Sequence, residues 1–323
     1  MHASYNLFGF EVATNFPFRT PMASSDARAD LCFKRTLVKK TRDLDPATQV
    51  YACEELNELG ESTVSLFRMD DGTDVMRFPR VADFIIRADA IECELLNPEY
   101  EFMVEICLLG HVFGYFLERS NITAVHAASI AVNEQAALFI ADRGGGKSTL
   151  AASFLQAGFP LISDDISPIE NRDGALICRR AYPQIKLTPE QAAEFMSDTR
   201  EYPLVHPAFR KKSVPVSAIG TFAPHPLPVG AIYVLNRQRE ATGPVRIEPV
   251  SPGESLVELI KNSFVTEITE ATSLREARMK RLGHLVRTVP VKRLQHPTAF
   301  QRLPEVHQAV LRDLKNDWAR STG

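Results

Sequence analysis

The stretch AALFIADRGGGKSTLAASFLQAGFPLISDD, from Ala136 to Asp165, decides how this chain is read. Ala136 to Ile140 is a short apolar run of strand length. Ala141 to Thr149 follows as a glycine-rich loop that runs into Lys-Ser-Thr. Lys147 to Ala157 then has helical spacing. Leu150, Phe154 and Leu155 share a face, and Gly158 suits the position just past a helix end. Phe159 to Ser163 is a further strand, and it ends in Asp164-Asp165. Strand, loop, helix and strand in that order build an α/β fold.

The loop departs by one residue from the pattern G-x-x-x-x-G-K-[ST], with Ala141 in place of the first glycine. Wrapping a polyphosphate in backbone N–H groups leaves little room for Cβ atoms, which is the physical use of Gly144, Gly145 and Gly146. The helix that follows points its positive end at the same place. Lys147 supplies a mobile charge, Ser148 a hydroxyl for Mg²⁺, and Thr149 completes the binding run. A methyl group at Ala141 is tolerable if its φ is negative.

About ten residues of helix carry the chain ~15 Å away from Lys147. About five strand residues return it by ~16 Å. Asp164 and Asp165 are therefore expected beside the loop, where one carboxylate can hold Mg²⁺ and another can accept a proton from an attacking hydroxyl. Adjacent strand residues point to opposite faces, so the two do different work. His126 lies in Ala124 to Val132, an apolar run expected to neighbour the strand that feeds the loop. By itself it reads as a core histidine. Arg143, Arg210-Lys211-Lys212 and the late group Arg275, Arg278, Lys280 and Arg281 are candidate partners for phosphate, although charge runs usually face solvent.

Outward from this centre, Asn133-Glu134-Gln135 is a short connection consistent with a hairpin. Thr63 to Phe67 and Val75 to Phe78 flank Asp70-Asp71-Gly72, another hairpin signal. The residues up to 118 read as a smaller β-rich domain with a linking helix, and 119–323 as the catalytic domain. Residues 203–228 carry Pro203, Pro207, Pro215, Pro224, Pro226 and Pro228, an irregular surface connection. Ala231 to Leu235 resumes as a buried strand, and the remainder is mostly helical, with Val306, Val310, Leu314 and Trp318 as an apolar stripe.

The chain has 323 residues and a net charge of -3, which argues against a dedicated nucleic-acid binder. Its five cysteines show no paired zinc spacing and suit a reducing, cytoplasmic setting. No export signal is evident. The apolar run Phe102 to Leu117 contains Glu105, Gly110 and His111 and falls short of the ~20 residues that span a bilayer. It reads as a buried helix, and no membrane partner is expected.

Taken together, "VHAASIAV … ALFIADRGGGKSTLAASFLQAGFPLISDDISPIE" resembles the catalytic core of HPr serine kinase/phosphorylase and its relatives, a nucleotide-binding core shared with phosphoenolpyruvate carboxykinases. The resemblance spans about residues 120 to 300. It includes Tyr182 to Leu187, Pro228 to Leu235 and Val289 to Leu294 more weakly. It implies a P-loop core on a mixed β-sheet, with ATP and Mg²⁺ as cofactors. It implies that Lys147 binds the β/γ-phosphates, Ser148 helps hold Mg²⁺, and His126 sits by the phosphate and metal. Asp164 would be the base and Asp165 nearer the metal, with the reverse split open. The residues before 120 do not resemble the amino-terminal domain of those enzymes, and their carboxy-terminal phosphorylase loop has no counterpart here. Stand-alone relatives that phosphorylate a small peptide, such as a lasso peptide precursor, are the nearer likeness.

The expected function is an ATP- and Mg²⁺-dependent kinase acting on a serine hydroxyl of a small protein or peptide. A small-molecule kinase and a nucleotide-sensing module that transfers nothing are the alternatives. Homo-oligomerisation is implied by the family alone.

Overall fold

The computed structural model describes residues 3–196, 201–206, 209–238 and 243–321, the side chains of 317–321 excepted. Pro207 and the side chain of Trp318 thus lie outside the described residues. The chain forms two compact units, Met1–Asn121 with Val265–Arg278, and Ile122–Phe264 with Met279–Gly323. The boundary falls three residues beyond the expected 118, and the segment Val265–Arg278 groups with the first unit rather than the second.

The first unit is a nine-stranded sheet. Its strands are β1 (Ala3–Leu7), β2 (Phe10–Thr14), β3 (Ala23–Ser24), β4 (Leu31–Leu37), β5 (Gln49–Ala52), β6 (Ser65–Arg68), β7 (Asp74–Phe78), β8 (Ala82–Ile86) and β9 (Ala90–Leu95). They lie in the order β3-β1-β2-β4-β9-β8-β7-β6-β5. The Asp70-Asp71-Gly72 turn joins β6 to β7 as expected, with Arg68 opposite Asp74 and Gly72 at φ 79°. Only glycine takes that conformation without strain.

A helical run then extends from Pro98 to Arg119. It contains α1 (Glu101–Cys107), a π-helical turn at Leu108–Val112 and α2 (Phe113–Arg119). At 22 residues it is longer than the apolar stretch read from the sequence, because flanking polar residues join the helix. It is long and apolar enough to cross a membrane by length and composition, and 61% of its apolar window is buried within the structure. Phe113 packs on Phe8 and Phe116 on Phe10, so its apolar face covers the β1–β2 hairpin. Glu105 accepts the backbone N–H groups of Arg19 and Thr20.

The second unit is α/β with a mixed sheet. Its elements are β10 (Thr123–Val125), β11 (Ala127–Val132), β12 (Gln135–Ile140), α3 (Lys147–Gln156), β13 (Leu161–Ser163), β14 (Ser167–Arg172), β15 (Ala175–Cys178), β16 (Gln184–Leu187), α4 (Pro189–Phe195), β17 (Lys212–Pro215), β18 (Leu227–Gln238), β19 (Arg246–Pro249) and α5 (Pro252–Lys261). After α6 (Thr266–Glu270), which lies in the segment returned to the first unit, come α7 (Leu274–Thr288), β20 (Val291–Pro297) and α8 (Leu303–Ser321). β12, β18 and β20 are mutually parallel, and β11, β13, β14, β15 and β19 add antiparallel strands around them.

Alternation along β12 sets the layers. Ala137 and Phe139 face a core with Leu150 and Phe154 of α3 and Val306, Val310 and Leu314 of α8. Ala136, Leu138 and Ile140 face the opposite core with Leu259 of α5 and Leu282 and Leu285 of α7. A sheet buried on both faces reads as near-continuous apolar strands, which is why its strands were visible in the sequence.

Three expected elements differ. The run Ala124 to Val132 is not one strand: β10 pairs with β14, β11 pairs with β12 and β13, and the break falls at His126, whose N–H donates to Asn262 O at 2.7 Å. The β11–β12 connection narrows to Asn133-Glu134, both at positive φ, as a type I′ turn requires. Within the proline-rich stretch, β17 pairs with β16, because Lys212 to Val214 still have N–H groups to donate.

α8 is fastened to α3 through a buried contact. Ser153 Oγ donates to Leu150 O and stands 2.8 Å from His307 Nε2, so the histidine nitrogen is the donor in that pair. Burial pushes the His307 pKa down to about 4. The unfolded chain therefore binds a proton near pH 6.5 that the folded chain refuses until about pH 4. His307 favours folding fully above pH 6.5, and that contribution is lost as pH falls through this window. Urea unfolding midpoints should fall more steeply from pH 6.5 to 4 in the parent than in His307→Gln, and equal slopes would contradict the assignment.

Candidate functional site

β12 delivers the glycine loop to one end of the parallel strands, where α/β proteins bind their ligands. Ile140, the last residue of β12, lies opposite Val234 of β18, which runs on past it to Gln238. Gly144 and Gly146 have φ of 81° and 95°, in the left-handed region that favours glycine. Gly145 is needed for space: a Cβ there would stand 2.5 Å from Ala141 Cβ and 2.9 Å from Asp142 O. Ala141 itself is not among the described residues with positive φ, so its methyl is tolerated. Gly145 N–H donates to Asp142 O at 2.9 Å and closes the turn. Gly146 is the N-cap of α3 and has no side chain with which to cap its first N–H groups.

Lys147 is 8% exposed and donates from Nζ to Ala141 O at 2.7 Å. Burial lowers its pKa, while Asp164 and Asp165 act in the opposite sense. Thr149 Oγ1 accepts from Gln191 Nε2 at 2.6 Å, which ties the loop helix to α4.

After α3, Gly158 at φ 92° turns the chain into β13, which pairs with β11. The acidic doublet follows directly. Ser148 Oγ donates to Asp164 Oδ1 at 2.9 Å, so the doublet returns to the loop as the chain lengths required. Asp164 Oδ2 accepts the Lys186 backbone N–H at 2.9 Å. Asp165 Oδ2 pairs with Lys186 Nζ at 2.5 Å. His126 Nδ1 lies 2.9 Å from Asp165 O and 3.5 Å from Asp165 Oδ1. A carbonyl oxygen can only accept, so Nδ1 carries the proton in that contact.

The pKa values of the two carboxylates move in opposite directions. Burial pushes the Asp164 pKa up, and the neighbouring charge of Asp165 adds to it. Burial acts the same way on Asp165, but Lys186 and His126 outweigh it and hold Asp165 down at about 2. Lys186 is pushed upward in turn by Asp165 against the effect of burial. Burial lowers the pKa of His126, with Asp165 opposing.

The structure thus brings together His126, Gly144 to Thr149, Asp164 and Asp165. Most other candidates go elsewhere. The Arg143 guanidinium lies 5.6 Å from the Phe209 ring centroid, and Arg210 pairs with Glu190. Lys211 acts on both carboxylates through its charge. Arg278 bonds Thr266 and Thr269, and Arg281 donates to Thr123. Two contributors were missed. Lys186 sits among the apolar neighbours Ile185 and Leu187, and an ionisable side chain in a buried strand is its only signal. Arg237 ends the run AIYVLNR and donates to Gly144 O at 3.4 Å, with its Cδ 3.1 Å from where a Gly146 Cβ would stand.

No known family profile matches the chain, and no curated protein matches its sequence. Its fold has a distant structural similarity to the Hpr(Ser) kinase/phosphatase from Coxiella burnetii, at 15% identity and a TM-score of 0.35, over 62% of this chain and 95% of that one. That likeness is too remote to assign chemistry, so the site's own geometry must do so.

The space around Gly145 is testable without any ligand. Gly145→Ala should destabilise the chain by about 1–3 kcal/mol through overpacking. Gly253→Ala in α5, with nothing within 4 Å of the new methyl, should be neutral or stabilising. Urea unfolding measures both, and equal effects would contradict the steric account of the loop.

Proposed function

We propose that the second unit is an ATP- and Mg²⁺-dependent phosphotransferase that phosphorylates a serine hydroxyl on a small protein or peptide. The observation that carries this reading is the 2.9 Å hydrogen bond from Ser148 Oγ to Asp164 Oδ1. It joins the head of an uncapped helix beneath a glycine loop to an acidic doublet. That is the arrangement a metal-bound polyphosphate requires.

The residues fit such a ligand. Magnesium takes hard oxygen donors and keeps several waters, using one or two carboxylates and the substrate's phosphates. Ser148 and Asp164 offer that partial set. Among the described residues no group of three or more His, Cys, Asp or Glu forms a cage of its own. Bound Mg·ATP would supply the transferable phosphoryl group and neutralise charge on its oxygens.

The chain's own groups then have distinct tasks. Gly144 to Gly146 and the first turn of α3 present N–H groups to phosphate, and Lys147 exchanges the Ala141 carbonyl for a phosphate oxygen. Ser148 and Asp164 would hold the metal. Asp165, kept ionised beside Lys186, accepts the hydroxyl proton as the new O–P bond forms and the bond to the leaving diphosphate breaks. This division reverses the one implied by resemblance, because Ser148 bonds Asp164 and not Asp165. His126 grips Asp165 through its carbonyl, and Arg237 flanks the loop where charge develops on the transferring group. The free cysteines Cys32, Cys53, Cys93, Cys107 and Cys178 suit the cytoplasm.

The test is to incubate the chain with Mg·ATP and candidate small peptides, lasso-type precursors among them, and weigh the products. Lys147→Ala should weaken Mg·ATP binding by about tenfold or more, and Asp164→Asn should cut transfer by about 100-fold without lowering the melting temperature. Undiminished transfer in Lys147→Ala would defeat the site assignment. Tight ATP binding without product from any acceptor would make the chain a nucleotide sensor instead.

A further inference from the structure

Lys186 touches both carboxylates of the doublet, by two different parts of the residue. Its backbone N–H donates to Asp164 Oδ2 at 2.9 Å, and its ammonium donates to Asp165 Oδ2 at 2.5 Å. The backbone contact survives any substitution except proline, whereas the ammonium contact depends on the side chain. Ile185 and Leu187 are both fully buried in the core that holds α3, so the strand carrying Lys186 is anchored on either side. The β16–β17 pairing, with Lys186 opposite Ser213, fixes its register.

Asp165 needs such a hold. Its φ of 80° places a non-glycine residue in the left-handed region. A conformation of that kind persists only where the surroundings over-determine it. Two contacts do so here, His126 on the main-chain carbonyl and Lys186 on the side chain. Removing the second leaves the backbone gripped but takes away the shorter of two contacts on the carboxylate, the other being His126 Nδ1 at 3.5 Å from Oδ1. Lys147 and Lys211 also act on the doublet with positive charge, so the loss of Lys186 does not leave it without attraction, only without its shortest directed contact.

We propose that Lys186 is a positioning residue for phosphoryl transfer, its main chain fixing Asp164 toward Ser148 and its ammonium fixing Asp165 beside His126 for proton acceptance. This rests on the kinase reading above. It separates the two tasks within one residue. Replacing the ammonium should spare metal-nucleotide binding, which depends on Asp164, and impair turnover, which depends on the aim of Asp165.

The experiment uses the full chain and Mg·ATP hydrolysis, with water as the acceptor. Lys186→Met should lower kcat by about 100-fold, as expected for a misplaced reacting group, with KM for Mg·ATP changed by less than about threefold. Lys186→Arg, which restores a donor, should recover at least about tenfold of that loss. A merely structural lysine would move both constants together or give no rescue by arginine. A kcat within about threefold of the parent, or an arginine variant no better than methionine, would overturn the proposal. If Lys186→Met does not fold, Lys186→Gln takes its place in the comparison. Crystal structures of the parent and the variant decide the matter independently of turnover. The Asp165 carboxylate should shift while Asp164 stays on Ser148, and an unmoved Asp165 carboxylate would refute the role of Lys186. A parent that hydrolyses no ATP and modifies no acceptor would defeat the kinase reading alone, and the crystallographic comparison would still decide what Lys186 does.

Discussion

The hydroxyl of Ser148 and the carboxylate of Asp164 meet at 2.9 Å, and the second unit's site depends on that meeting. It requires a helix of the right length, a left-handed turn at Gly158 and a short strand that runs back alongside β11. It also requires α3 to be seated on the sheet, which Leu150 and Phe154 accomplish by packing against Phe139 and, across the same core, against α8. Packing therefore sets the polar geometry. A dense apolar core does not deform smoothly, so the distance between loop and doublet is fixed by side chains that touch neither.

Two carboxylates side by side in a buried setting repel one another, and the chain resolves this by giving them different partners. Asp164 has a hydroxyl and a main-chain N–H, neither of them charged, and burial and the charge of Asp165 raise its pKa against these two hydrogen bonds. Asp165 has a full positive charge against it and stays ionised. An arriving divalent cation would relieve the first carboxylate most, since both of its hydrogen-bond partners are uncharged whereas Asp165 is already paired with Lys186. On the proposed reading, the first carboxylate would take the metal and the second, held ionised by Lys186, would take the proton.

The sequence was informative where local pattern and chemistry coincide. The apolar runs of β12 and β18 could be read because both faces of that sheet are covered. The loop could be read because three consecutive glycines before Lys-Ser mark a tight backbone turn, although the clash that a Cβ would meet at Gly145 comes from Ala141 and Asp142 of the loop itself. The Asp-Asp pair could be placed by adding helix and strand lengths. The break in the strand at His126 was hidden, because it comes from a long-range bond to Asn262 and not from any local breaker. Lys186 was hidden for a similar reason: its partners lie about twenty residues away in sequence and its own neighbours are apolar. The grouping of Val265–Arg278 with the first unit depends on contacts such as Tyr51 Oη to Glu267 and Arg68 to Ser273, which no periodicity encodes.

The most direct measurement is a crystal structure with a non-hydrolysable ATP analogue and Mn²⁺, located by its anomalous signal. The account predicts the polyphosphate on Gly144 to Lys147, and the metal on Ser148 Oγ and on Asp164 directly or through one water. A nucleotide bound elsewhere, or a metal that ignores both Ser148 and Asp164, would contradict it.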